Sequence, residues 1–213
     1  VPIVVGYHAC QRDHADVILR DRNAWQPSRN AYDWLGDGIY FWENNLRRAR
    51  EWARDVIQGP SAILRAEIDL GRCLDLAETE FLREIEETHR RLLRVYRENG
   101  WKLPQNRDVP RGSRTVRWTI RWLDQLNTSL YRMLGVEFRR FRDQKLRYLD
   151  RLVIGRFLEE LDSRFSTVQK IQTVRCPFEE GDPIFPGSAI LDQTHVQIAV
   201  RDPTCIKQVA REV

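Results

Sequence analysis

From Trp34 to Trp42 the chain reads Trp-Leu-Gly-Asp-Gly-Ile-Tyr-Phe-Trp, and this run constrains its surroundings more than any other stretch. Gly36 and Gly38 bracket a tight bend at which another molecule can approach the main chain. Ile39-Tyr40-Phe41 then begins an apolar strand whose successive side chains face opposite ways, so Tyr40 points away from both neighbours. A flat aromatic at such a rim can stack a heteroaromatic ring. Thirty-two residues before Tyr40 stands His8, at the end of the strand-like run Ile3-Val4-Val5-Gly6-Tyr7-His8. A histidine on a neighbouring strand can hydrogen-bond a ribose hydroxyl, and the two motifs together read as a nucleotide pocket.

The wider pattern is α+β. Residues 1–78 alternate short elements: the strand ending at His8, an amphipathic helix over 12–20, a loop around Trp25-Gln26-Pro27-Ser28, the Tyr40 strand, a helix over about 45–57, and a strand over 62–70. Residues 79–165 instead carry helical periodicity, enough for three or four helices, interrupted at 101–113 by two prolines and two polar clusters that predict a long loop. Strand-like sequence returns at 171–175 and at 194–200, where Thr194-His195-Val196-Gln197-Ile198-Ala199-Val200 alternates polar and apolar residues. The length of 213 residues suits a single domain, 1–213, with 79–165 as a helical insertion within it. No run of about 18 apolar residues occurs and no basic region precedes an apolar stretch at the N-terminus, so the chain reads as cytoplasmic with no membrane partner. Cys10, Cys73, Cys176 and Cys205 are far apart without a Cys-x-x-Cys, which indicates neither a zinc site nor a disulfide framework but buried thiols. Cys10 beside His8 also allows a nucleophilic pair, although no residue in view would orient the base.

Gly38-Ile39-Tyr40-Phe41, followed by Ala49-Arg50-Glu51-Trp52-Ala53, resembles the diphtheria-toxin and poly(ADP-ribose) polymerase branch of the ADP-ribosyltransferase fold. The signature of that branch is a histidine, a tyrosine and a glutamate on three separate strands. The family's His-Gly-Thr or His-Gly-Ser is here His8-Ala9-Cys10, and the position matching the glutamate is Gln197. The resemblance covers the first 53 residues and roughly the last 30; the helical insertion has no counterpart. It implies a split β-sandwich core and NAD as co-substrate, with no metal. Tyr40 would stack the nicotinamide, His8 would bind the adenosine-side ribose hydroxyl, and the Ala9 main chain would clamp the carboxamide. Gln197 would orient the nicotinamide ribose; an amide keeps the hydrogen bond of the glutamate but loses its charge, so transfer of a single unit is expected, not of chains. Trp52 is either the second wall of the nicotinamide slot or core packing on an amphipathic helix. His195 and the loop residues Phe185 and Ser188 are candidates for the acceptor, with packing of the aromatics as the alternative. Three carboxylates could stand in for the missing one: Glu43, which also fits a helix start before Leu46, and Glu180 or Asp182 in the loop ahead of the last motif.

Charge is uneven. Between Arg90 and Arg156 there are 18 Lys or Arg against 6 Asp or Glu, while the remainder carries 17 against 25. Arg114, Arg117 and Arg121 recur at helical spacing around Trp118 and Trp122. Arginines interleaved with aromatics suit phosphate contact and base stacking, so RNA or DNA is one acceptor class. A protein acceptor, an acidic antitoxin or inhibitor protein, or a merely solvated helix face fits the same count. The expectation is an NAD-dependent mono-ADP-ribosyltransferase of bacterial toxin or defence type; the alternatives are an NAD glycohydrolase and an inactive module that binds NAD, ADP-ribose or nucleic acid.

Overall fold

Strand β1 runs Ile3–Gln11, beyond the expected end at His8, because the alternation of buried faces continues through Ala9 and Cys10. The computed structural model describes residues 3–31, 33–107, 146–164, 170–185 and 188–212. Helix α1 (Arg12–Arg20) follows directly and buries Ala15 and Ile18. Strand β2 (Ile39–Glu43) leads into helix α2 (Leu46–Asp55), whose N-cap is Asn45: its side-chain oxygen accepts from the Arg48 N–H at 3.1 Å. Glu43 therefore ends the strand and does not begin the helix. Strands β3 (Ser61–Asp69), β4 (Cys73–Asp75), β5 (Thr173–Phe178), β6 (His195–Val200) and β7 (Ile206–Arg211) complete a seven-stranded sheet in the order β4-β5-β6-β2-β1-β3-β7. All neighbours are antiparallel except β4 and β5. The three-residue strand β4 and the strand β7 lie at the two edges, where sequence alternation alone does not single them out.

The sheet is curled. Ile206 of β7 and Val200 of β6 join one apolar cluster with Phe41, Leu64, Ala66, Ile68 and Ile198, so the strands wrap around a shared inner face that Ile18 and Trp25 cover. Gly6 sits at the tightest part: a Cβ there would lie 2.7 Å from Ile68 Cδ1 and 2.8 Å from Phe41 Cβ. Gly6→Ala is accordingly expected to lower stability by about 1–3 kcal/mol through overpacking, read as an earlier midpoint in urea unfolding. An unchanged midpoint would mean that the curl tolerates a methyl group at β1.

The outer face carries two further clusters. Ala49 and Ala53 of α2 pack on Ala9 and Trp42. Helix α4 (Tyr148–Arg164) buries Phe157, Leu158 and Leu161 against Leu74, Val174, Phe178 and Ala199. Helix α3 (Leu82–Glu98) lies on α4, joined by the Arg91–Glu160 and Arg164–Glu84 ion pairs. These two helices fall within 79–165, the stretch expected to be a helical insertion; 108–145, with the Arg117 and Arg121 expected to meet an acceptor, lies outside the described residues. The residues on either side of that stretch are paired, Arg107 and Leu146 exchanging both main-chain hydrogen bonds at 2.9 Å. Among the described residues no helix is long and apolar enough to cross a membrane.

Candidate functional site

The glycine bend behaves as the sequence requires in one respect and differs in another. Gly36 has φ +85°, a conformation that favours glycine. The space beside Gly38, however, is taken by the chain itself, since a Cβ there would meet the Val200 carbonyl oxygen at 3.1 Å and Ala199 Cβ at 3.2 Å. That closeness lets β2 lie against β6, with Tyr40 opposite Ala199 and Trp42 opposite Gln197. Because side chains alternate along a strand, this register brings Tyr40, Trp42, Gln197 and His195 onto the outer face.

His8 is not on that face. Its register with β3, opposite Leu64, and its ring contacts to Trp25 at 5.3 Å and Phe41 at 5.6 Å place it on the inner side. Of the three motif side chains expected to meet in one nucleotide pocket, Tyr40 and Gln197 share the outer face and His8 does not. The reason is register: Tyr7 pairs with Trp42, so His8 falls opposite Phe41 and Ala9 opposite Tyr40. His8 still reaches Tyr40 through the main chain, its Nδ1–H donating to the Tyr40 carbonyl at 2.8 Å. The β1–β2 ladder ends at Tyr7 and Trp42, and this side-chain bond spans the strands just beyond. Burial pushes the His8 pKa down, against the pull of the Tyr40 carbonyl, so the ring is neutral near pH 7 with Nε2 as an acceptor. Cys10, two residues on, is buried and its thiol is pushed up to about 11 by desolvation, which leaves it a packing residue and not a nucleophile.

Tyr40 is anchored at its phenol. The hydroxyl donates to the Gly36 carbonyl at 2.7 Å and accepts from the Leu35 N–H at 3.0 Å, and burial raises its pKa well above the ordinary phenol value. Its ring packs against the α4 cluster. Trp52, in contrast, is 42% exposed and its ring lies 5.7 Å from that of Trp42, so α2 does not use it as core. Trp42 itself is 7% exposed, and its indole Nε1 has no hydrogen-bond partner among the described residues. Sequence reasoning passed over Trp42, although its position two residues after Tyr40 puts it on the same face.

One side of the site is charged. Arg48 of α2 pairs through Nη1 with Glu51 at 2.6 Å and through Nη2 with Glu180 at 2.7 Å. Glu180 is 4% exposed and tethers α2 to the loop over 179–194. Among the three carboxylates weighed as substitutes, it is seen paired with Arg48 of α2. Glu43 is held on the inner face by Arg175 at 2.6 Å, which also grips Asp75, while Asp182 is exposed on the loop. The signal for Arg48 and Glu51 is present in the helix phase, since they stand three positions apart on one face.

The opposite side is a row of rings. The Arg147 guanidinium lies 4.2 Å from the Trp34 ring centre, Trp34 is 4.2 Å from Phe178, and Phe178 is 5.9 Å from His195. His195 is only 4% exposed, and both of its ring nitrogens are engaged, Nδ1 with the Gln193 carbonyl at 2.7 Å and Nε2 with Gln197 Nε2 at 3.1 Å. A residue so enclosed presents little to an acceptor, which the sequence reading had expected it to meet. Phe185, at 58% exposure beside Ile184 on the same loop, is open to one. The loop is folded, not extended: Pro183 pairs with Leu191, and Ser188 N–H donates to the Phe185 carbonyl at 3.0 Å.

Desolvation, aided by Arg48 and Arg147, pushes the His195 pKa down to about 4 from an ordinary 6.5. An unfolded chain therefore takes up this proton before the folded one does, and stability is complete above about pH 6.5 and falls as pH drops toward 4. The expected loss over that window is on the order of 3 kcal/mol; His8 adds a loss of the same sign. Denaturant titrations at pH 7 and pH 5 should show the decline, and His195→Phe should flatten it. Equal slopes in the two proteins would place the titrating group elsewhere.

No known protein family model, no curated protein and no solved structure matches the chain.

Proposed function

We propose that the chain is an NAD-dependent mono-ADP-ribosyltransferase whose dinucleotide lies across the outer face between α2 and the His195 ring row, its nicotinamide end turned toward the point where β1 leaves β2. The observation that carries this reading is the register of β2 with β6, which puts Tyr40, Trp42 and Gln197 side by side with exposed Trp52 as a wall. Stacking of nicotinamide by these rings gives orientation without charge. The described strands form one curled seven-stranded sheet, and the split β-sandwich of the ADP-ribosyltransferase kind is proposed for it on the ground that β1 and β2 part beyond the Tyr7–Trp42 pair.

In the reaction the bond between nicotinamide nitrogen and ribose C1′ breaks, with the electron pair leaving on nicotinamide. An acceptor oxygen or nitrogen forms the new bond to C1′ and gives up its proton. Gln197 orients the ribose hydroxyls through its amide oxygen, the Ala9 main chain, past the end of the β1–β2 ladder, meets the carboxamide, and His8, from the inner side, holds the Tyr40 main chain through its Nδ1–H. Exposed Phe185 and half-buried Ser188 of the 179–194 loop face the acceptor, a nucleic acid or a protein, to which the basic insertion adds attraction. A cytoplasmic toxin or defence enzyme held in check by an acidic partner fits this charge pattern.

Incubation with NAD labelled in its ADP-ribose half and a cell lysate, with and without nuclease, tests the reading. Label that becomes macromolecular supports transfer, and its loss on nuclease treatment assigns the acceptor to nucleic acid. Nicotinamide release with no macromolecular label assigns hydrolysis, and NAD binding with no release reduces the chain to a binding module.

A further inference from the structure

We infer that His195 is a positioning residue for Gln197, fixing which end of the amide faces away from the imidazole on the Tyr40–Trp42 side of the sheet. The inference rests on the proposed NAD site. Its argument starts from a carbonyl, which can only accept: the Gln193 oxygen lies 2.7 Å from Nδ1, so Nδ1 carries the proton. In a neutral ring Nε2 is then a bare acceptor. The Gln197 Nε2 atom lies 3.1 Å from it and donates, which turns Oε1 away from His195.

The surroundings keep this arrangement. His195 is buried beside Phe178, which Trp34 and Arg147 hold from the other side. The charged groups acting on the ring are Arg48 and Glu51 from α2 and Arg147 ahead of α4; the two cations and desolvation oppose a second proton, and the ring titrates only at about 4. Charge at the ring is thus disfavoured throughout the neutral range.

The device answers a problem peculiar to glutamine. A carboxylate offers an oxygen in either rotamer, but the two ends of an amide differ, and a half-turn would present an NH₂ to a sugar acquiring positive charge. Where Gln197 stands in place of an acid, an acceptor at a fixed position is needed to select the orientation with oxygen outward. His195, two residues away on the same face, supplies it.

The test is a double-mutant cycle on NAD cleavage with Gln197→Leu, His195→Leu and the double variant. Each single change is expected to lower kcat by roughly tenfold to a hundredfold with KM altered less than about threefold, and the double variant should be no slower than Gln197→Leu alone. Losses that multiply would overturn the positioning role while leaving the site reading standing; a wild-type protein that cleaves no NAD would overturn the enzymatic reading and the role with it. Because a buried leucine can disturb folding, nitrogen-15 NMR of the wild-type imidazoles at pH 7 provides a mutation-free check. His195 should be protonated at Nδ1 and bare at Nε2, and a proton on Nε2 would reverse the amide and refute the assignment.

Discussion

Arg48→Met should destabilise the protein by about 3 kcal/mol or more, because it strips a buried carboxylate of its salt bridge. Glu180 is 4% exposed and lies 2.7 Å from the Arg48 guanidinium, with no comparable access to water. Removing both charges leaves neither group stranded, so Glu180→Gln added to Arg48→Met should recover most of the loss. The exposed pair Arg54–Asp55 serves as the contrast; neutralising it should change little. Urea unfolding of the four proteins reads the result. If Arg48→Met were as stable as the wild type, the link between α2 and the 179–194 loop would not hold the site together.

Tyr40→Ala is expected to lower NAD turnover by about a hundredfold or more, the loss combining a stacking surface with the anchored loop behind it. The ring packs on the α4 cluster, and its hydroxyl bonds both Leu35 N–H and the Gly36 carbonyl. Tyr40→Phe separates these contributions. It keeps the ring and removes the two hydrogen bonds, so stability should fall by about 1–2 kcal/mol while most turnover is retained. Should Tyr40→Ala turn over NAD at the wild-type rate, the aromatic face would have no part in the chemistry.

The local elements were legible where pattern and turn chemistry agreed. An apolar run after the glycines announced β2, alternation announced β6, and Gly36 announced the bend it makes at φ +85°. Which face each motif residue occupies was not legible, because it depends on strand register: one pairing, Tyr7 with Trp42, sends His8 inward while Tyr40 faces outward. The edge strand β4 has three residues, too few to display a period, and its parallel pairing with β5 joins segments about a hundred positions apart. Glu180 could not be chosen over Glu43 and Asp182 from spacing, since the choice follows from Arg48 reaching it across 132 residues of sequence. Trp52 was ambiguous for a different reason: helix phase gives a side chain's direction but not what waits there, and only packing leaves it 42% exposed beside Trp42.

The central claim, that the outer face between Trp52 and Gln197 holds NAD, is tested most directly by calorimetric titration of NAD into the wild type, Trp52→Ala and Trp101→Ala. Both tryptophans are solvent-facing, Trp52 at 42% and Trp101 at 60%, so neither change should cost the fold. Trp101 lies past the end of α3, stacked edge-on with Tyr96, far in the chain from the site residues. Stoichiometric binding that weakens about tenfold or more in Trp52→Ala and is unchanged in Trp101→Ala is the outcome expected. No binding by the wild type, or equal affinity in all three proteins, would contradict it.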